Sequence, residues 1–293
     1  MVKVLITGTN SFVGTNFRKF SKFKDSEEIS LHKNNPEDID YSKYNVVLHL
    51  AAIVHQSSRI DEIEYFRVNR DLCLEVALAS KKAGIRQFVF LSTLKVYGTL
   101  TSGSDPRNEL SVCTPDDSYG RSKYAAECGL KKLEDKDFTV SIIRTPLVYG
   151  DGVKANMINL VKLVDYLPIL PLDKINNKRN FIFAENLVGF IDRIIEKRAS
   201  GIFIVMDEKS ISTSDLIRYI SKSLGKRSLF IRMPEMLYKI CFRFFPDTMD
   251  RLFYSLDFDN SITKKVLDYS PPYSTEEGVR KMTEFYIANK NKI

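Results

Sequence analysis

The chain has 293 residues, 44% of them hydrophobic and 28% charged, which is apolar material for one large or two small soluble domains. Its four cysteines (Cys73, Cys113, Cys128, Cys241) form no close pair, and its three histidines (His32, His49, His55) have no metal-ligand spacing. Reduced thiols in a cytoplasmic protein are expected, rather than a disulfide frame or a zinc site. The net charge of +7 is spread along the chain without a basic tail or nucleic-acid motif, so it reads as solvated surface with a few cations kept for phosphates. No run has the length of a membrane span, and the short apolar start does not resemble a signal peptide.

In chain order, residues 2–6 read as a strand, 12–23 as a short basic helix and 28–31 as a weak strand. Residues 46–50 are a clear apolar run. Helical spacing covers 61–83 and stops at Gly84. A second buried-strand run follows at 87–92, then a helix at 119–133 and a β-branched strand at 139–143. Strand and helix in alternation predict an α/β fold, a Rossmann-type doubly wound parallel sheet covered on both faces. After Gly150 the regularity fades, with helices expected at 184–198 and 214–224 and a strand at 201–206. The expected organisation is a dinucleotide-binding part over 1–150 and a smaller mixed substrate part over 151–293, with later pieces returning to the sheet.

The segment L-I-T-G-T-N-S-F-V-G at residues 5–14 follows the first strand and opens the first helix. There Gly8 permits a tight turn and Gly14 close helix–strand packing, with helix N–H groups facing a pyrophosphate. Ser11 stands where a third glycine is usual; its Cβ crowds the turn, while its hydroxyl can donate to a phosphate oxygen. Two glycines in a loop are weak by themselves. Ala51 and Ala52, after the third apolar run, fall at the carboxyl edge of the sheet where ligands bind, or are simple packing.

A second constellation is S-T-L-K-V-Y-G at 92–98 with Y-G-R-S-K at 119–123. Tyr119 and Lys123, four apart, share one helix face. A phenol ionises near about 10, and lowering it to about 7 takes roughly 4 kcal/mol. Lys123 and a bound nicotinamide's charge can divide that work. Thr93, at a strand end, can bond the reacting oxygen, so that Tyr119 moves the proton while the cofactor moves the hydride. The plain alternative is a surface Tyr and Lys on an ordinary helix.

Together with H-L-A-A at 49–52, F-R-V-N at 66–69, R-T-P-L-V-Y-G-D-G-V-K-A-N at 144–156 and K-R-N-F-I-F-A-E-N-L-V at 178–188, these motifs resemble the extended short-chain dehydrogenase/reductases of the NAD-dependent epimerase/dehydratase family, over nearly the whole chain. The resemblance implies that Thr93, Tyr119 and Lys123 are catalytic, with Asn69 supporting a proton relay. It implies a cofactor, NADP or NAD, held by Gly8, Asn10, Ser11, Phe12, Val13, Gly14, Asp38, Ile39, Leu50, Ala51, Ala52, Tyr119, Lys123, Pro146 and Val148. A UDP-sugar would meet Thr93, Asn156, Arg179 and Arg251, arginine being the suitable fork for a diphosphate. Departures are Ser11 for glycine and Leu72-Cys73 where many relatives carry Gly-Thr. A homodimer through the helices at 61–83 and 119–133 is the family's expectation.

Dehydratases of this family carry Asp-Glu after the catalytic threonine; Leu94 and Lys95 stand there, against dehydration. At the end of the second strand, residues 29–33 hold no acid to bind the adenosine ribose, whereas His32 and Lys33 could face a 2′-phosphate. The leading expectation is therefore reduction of a 4-keto (2-acetamido-2,6-dideoxy) UDP-sugar for surface-polysaccharide precursors, followed by 4-epimerisation of UDP-glucose or UDP-N-acetylglucosamine. A non-catalytic dinucleotide sensor would be expected to lack Tyr119 or Lys123. Finally, residues 228–256 repeat Met233, Met236, Leu237, Ile240, Cys241 and Phe244 at helical spacing among cations. That pattern fits the core face of a substrate-part helix, the favoured reading, or a membrane-surface helix; no stable insertion is expected.

Overall fold

A computed structural model describes residues 2–54, 60–98, 106–154 and 156–290. His55 and Ala155, named above, lie outside the described residues. The first half contains β1 (Val4–Thr7), α1 (Phe12–Phe20), β2 (Ser26–Ile29), β3 (Val46–His49), α2 (Glu62–Phe66), α3 (Leu72–Lys82), β4 (Gln87–Thr93), α4 (Ser118–Leu133) and β5 (Thr139–Thr145). Then come β6 (Leu147–Tyr149), α5 (Asn156–Tyr166), β7 (Ile169–Leu170), β8 (Phe181–Phe183), α6 (Ala184–Lys197), β9 (Gly201–Ile204), α7 (Thr213–Ser223), β10 (Leu229–Phe230), α8 (Glu235–Phe244), α9 (Pro246–Phe253), α10 (Ser261–Leu267) and α11 (Thr275–Asn289).

Six parallel strands form one sheet in the order β2-β1-β3-β4-β5-β9. Its strands are buried on both faces, so successive residues serve opposite cores. Ile6, Leu48, Val89 and Ile143 pack with Phe17 of α1 and Leu187 and Ile191 of α6. Leu5, Val47, Phe88 and Ile142 pack with Val76 of α3 and Ala126 and Leu130 of α4. The strand order reverses between β1 and β3, and that switch point opens a crevice at their carboxyl ends. After Gly150 the chain adds β9 to the sheet and builds a second core from α5, α7, α11, β6 and β8 around Tyr149, Phe183, Ile217 and Met282.

Among the differences from expectation, two boundaries have a tertiary reason. Helix α1 ends at Phe20 because Ser21 turns to donate to Asp192 of α6 at 2.5 Å, and the Lys22 N–H donates to the same carboxylate at 2.9 Å. Strand β2 starts earlier than its composition suggests, pairing Ser26 with Val4 and ending at Ile29 opposite Thr7. The helical stretch 61–83 contains a π turn at Arg67–Asp71, a feature frequent at functional sites.

A charge pair lies deep beneath the crevice. Arg144 of β5 and Glu127 of α4 are 1% and 0% exposed, with Arg144 Nη2 donating to Glu127 Oε2 at 2.5 Å. Arg144 Nη1 also donates to the Tyr97 hydroxyl at 2.6 Å, and Ser92 Oγ donates to Glu127 Oε1 at 2.5 Å. Removing one partner strands the other charge in the core. Arg144→Met is expected to lower unfolding free energy in urea by about 3–5 kcal/mol, whereas pairing it with Glu127→Leu should recover much of the loss. A double variant no better than Arg144→Met alone would show that the pair is not the unit.

Candidate active site

The glycine turn after β1 has the form a pyrophosphate requires. Gly8 sits at φ +98°, and a Cβ there would lie 2.9 Å from the Ala51 backbone nitrogen, so the turn can close onto the loop after β3 only with glycine. Asn10 also takes a left-handed φ of 56°, which asparagine tolerates. Ser11 is the N-cap of α1, its Oγ accepting from the Gly14 N–H at 3.0 Å. A Cβ on Gly14 would stand 2.7 Å from that Oγ, so glycine at 14 makes room for serine at 11. Ser11 therefore replaces backbone permissiveness with a cap. Val13's side chain is buried in the core, which leaves its N–H, with that of Phe12, to face a ligand at the helix start.

The turn also holds a residue that sequence reasoning missed. Because β2 ends at Ile29, Glu28 is inside the strand and its carboxylate reaches the turn, accepting from the Asn10 N–H at 3.3 Å, with Arg18 4.0 Å away. The expectation that no acid stands at this strand end is thereby corrected. The cause is the strand boundary, since β2 runs Ser26–Ile29 rather than 28–31. Lys33 is exposed in the turn beyond, and Asp38 is exposed, accepting from the Asn35 amide at 2.9 Å. Ile39 packs against the α3–α4 core. Leu50 lies beside Gly14, and Pro146 and Val148 follow β5 at the carboxyl edge.

Helix α4 brings Tyr119 and Lys123 to the same edge. Lys123 is buried, its Nζ 4.0 Å from the centre of the Phe90 ring, and burial pushes its pKa down to about 8. Burial pushes the Tyr119 phenol up, and the Asp117 carboxylate adds to the rise; a hydrogen bond with the Thr93 hydroxyl works the other way. Asn69, in the π turn, is fully buried. It accepts from the Ile53 N–H at 2.8 Å and donates to Ile53 O and to Ser122 Oγ, each at 3.0 Å. Its amide is thus engaged in holding the 51–54 loop to α4. Cys73, beside Leu72 where Gly-Thr is common, is ordinary core, its thiol pushed up to about 12 by burial.

Leu94 is buried, while Lys95 pairs with Asp117, the N-cap of α4 that also accepts from the Gly120 N–H at 2.6 Å. The Lys95 ammonium stands 5.9 Å from the centre of the Tyr119 ring. A Cβ on Gly120 would lie 2.7 Å from Lys95 O, so the helix start is seated directly on this turn.

Farther along, Arg179 is bridged to Ile211 and Leu256, and its guanidinium is desolvated and close enough to Arg251 of α9 that the two charges repel. Among the described side chains Arg179 has no carboxylate within 4 Å, and its Nη1 donates to Tyr254 O at 3.2 Å. Two neighbouring guanidinia offer the kind of forked donors a diphosphate takes. Asn156 is exposed at the start of α5. The described residues hold no metal-binding group of His, Cys, Asp and Glu.

This chain belongs to the NAD dependent epimerase/dehydratase family, whose model matches residues 4–205. It is an enzyme of that class, with a nicotinamide dinucleotide as cofactor. It is 31% identical to a UDP-glucose 4-epimerase of Vibrio cholerae, over 99% of this chain and 97% of that protein. It is 24% identical to an N-acetyl-alpha-D-glucosaminyl-diphospho-ditrans,octacis-undecaprenol 4-epimerase of Escherichia coli O157:H7, over 80% of this chain and 76% of that one. The fold matches a UDP-N-acetylglucosamine 4-epimerase from Bacillus cereus with a TM-score of 0.79 at 20% identity, covering 97% of this chain and 99% of that chain.

After burial, the Asp117 charge is the next cause raising the Tyr119 phenol, and Lys95 is paired with Asp117, so the pair would bear on Tyr119 were it the proton carrier. Lys95→Gln leaves the Asp117 charge unbalanced and is expected to move the pH midpoint of turnover upward; Asp117→Asn should move it downward. Two variants shifting the same way, or neither shifting, would detach the pair from Tyr119.

Proposed function

We propose that the chain catalyses NAD-dependent 4-epimerisation of a UDP-hexose. The observation that carries this reading is Glu28 at the glycine turn. A carboxylate there accepts from the adenosine ribose hydroxyls and repels a 2′-phosphate, which favours NAD over NADP. An epimerase recycles one held NAD, whereas a reductase consumes hydride from outside. The 31% identical relative supports the same choice over the keto-reduction that the sequence suggested first.

In this reading Gly8, Ser11 and the α1 N-terminus hold the pyrophosphate, and Glu28 the ribose. Bound NAD supplies the acceptor and later the donor of the C4 hydride, and a positive charge beside the phenol. Tyr119 takes the proton from the C4 hydroxyl and returns it after the ring has turned. Thr93 bonds the same oxygen, Lys123 favours the phenolate, and Arg179 with Arg251 grips the diphosphate. A second substrate class, a polyprenyl-diphosphate-linked sugar, is favoured by the E. coli relative and presents the same diphosphate.

Denaturing the purified protein is expected to release NAD, and UDP-glucose or UDP-N-acetylglucosamine should convert to its C4 epimer. A protein that carries no nucleotide, prefers NADPH and reduces a UDP-4-keto sugar one way would overturn the proposal. Tyr119→Phe should lower kcat by about a thousandfold while retaining NAD. Glu28→Ser should shift binding preference toward NADP by about tenfold or more; an unchanged preference would remove Glu28 from the ribose site.

A further inference from the structure

Helix α8 was expected to turn an apolar face into the core of the substrate part, and it does not. Among the described helices of eight residues or more, it is the one with no buried residue. Its side chains divide into three arcs by helical spacing. Tyr238, Cys241 and Phe242 lie toward the body, where Tyr238 meets Phe253 of α9 edge-on at 5.1 Å. Glu235, Lys239 and Arg243 form a charged arc, with Lys239 and Glu235 paired at 2.7 Å. Between them run Met236, Ile240 and Phe244, 76%, 45% and 68% exposed, flanked by Leu237 and continued by Phe245 at 65%.

We infer that α8 docks this protein in the plane of an anionic lipid surface, with Met236, Ile240 and Phe244 entering the headgroup–acyl boundary and Arg232, Lys239 and Arg243 meeting lipid charges. An outward apolar arc bordered by cations is the form such helices take. Among the described side chains, Arg232 has no carboxylate within 4 Å, so its charge is available to lipid. A second copy of the chain fits this face less well, because a two-fold contact would set these cations against one another. No helix of the described residues is long and apolar enough to cross a membrane, so the contact is docking, not insertion. Arg251, on the next helix, ties the arginine pair to an element held at that surface.

The test is flotation of the full-length protein with vesicles of phosphatidylcholine alone and with vesicles of phosphatidylcholine and phosphatidylglycerol in equal parts. The protein should float with the mixed vesicles and stay in the soluble fraction with phosphatidylcholine. Ile240→Glu with Phe244→Glu should abolish flotation without changing the melting temperature or oligomeric state. Lys239→Gln with Arg243→Gln should weaken partitioning into mixed vesicles by about thirtyfold, at about fivefold per charge. Absence of flotation with either vesicle overturns the inference. So does flotation undisturbed by the double glutamate, or a wild-type dimer that the double glutamate converts to monomer, which would assign the face to a second copy. Each readout is independent of which sugar the enzyme turns over.

Discussion

The buried pair between Arg144 and Glu127 fixes where helix α4 stands. Helix α4 carries Tyr119 and Lys123, and its side chain one turn beyond Lys123 is Glu127, held by the guanidinium fork of β5. An apolar contact would hold the helix against the sheet but tolerate sliding. A forked ion pair specifies direction as well as distance, and its cost in lost hydration is severe if the geometry is missed. The same network reaches Ser92, which precedes Thr93, and Tyr97 in the following turn. Arg144 itself stands two residues before Pro146. One buried cluster thus borders the helix, the strand end and the strand-exit loop that together frame the crevice.

Above that cluster, burial alone drives the two titrating groups toward neutrality, raising the Tyr119 phenol and lowering Lys123 to about 8. Moving one proton from phenol to solvent therefore requires positive charge close by. Lys123 remains mainly protonated at neutral pH and loses that charge as pH rises through about 8. Lys95 cannot supply the charge freely, because it is committed to Asp117. In the proposed reaction Tyr119 would be the base, and a bound cationic nicotinamide would add the positive charge that the side chains leave short.

Much of this was readable from the chain. Parallel strands covered on both faces are continuous apolar runs, and residues 46–50, 87–92 and 139–143 showed themselves as such; Tyr119 and Lys123 had a spacing that only a helix makes meaningful. Glu28 was not readable, because S-E-E-I has the composition of a surface turn. Its place in β2 is set by pairing with β1, and a shift of two residues carried the one informative acid out of view. The role of Ser11 was half visible: a hydroxyl in the turn is legible in the sequence, but that it caps α1 depends on Gly14 having no Cβ to collide with it. For α8 the difficulty is of another kind. Apolar residues at helical spacing describe a face, not what covers it, and the same stripe serves a core or a lipid surface.

The arginines at the far side of the crevice complete the physical picture. Arg179 has lost part of its hydration, and the neighbouring Arg251 charge opposes its own. In the proposed function a diphosphate bound there would relieve both the lost hydration and the repulsion. Binding energy from a non-reacting part of the substrate would then help order the elements that carry the pair, among them α9, which bears Arg251 and packs on α8. The substrate contact proposed for Arg251 and the lipid contact inferred for α8 accordingly converge on the same two helices, away from the sheet and its buried charges.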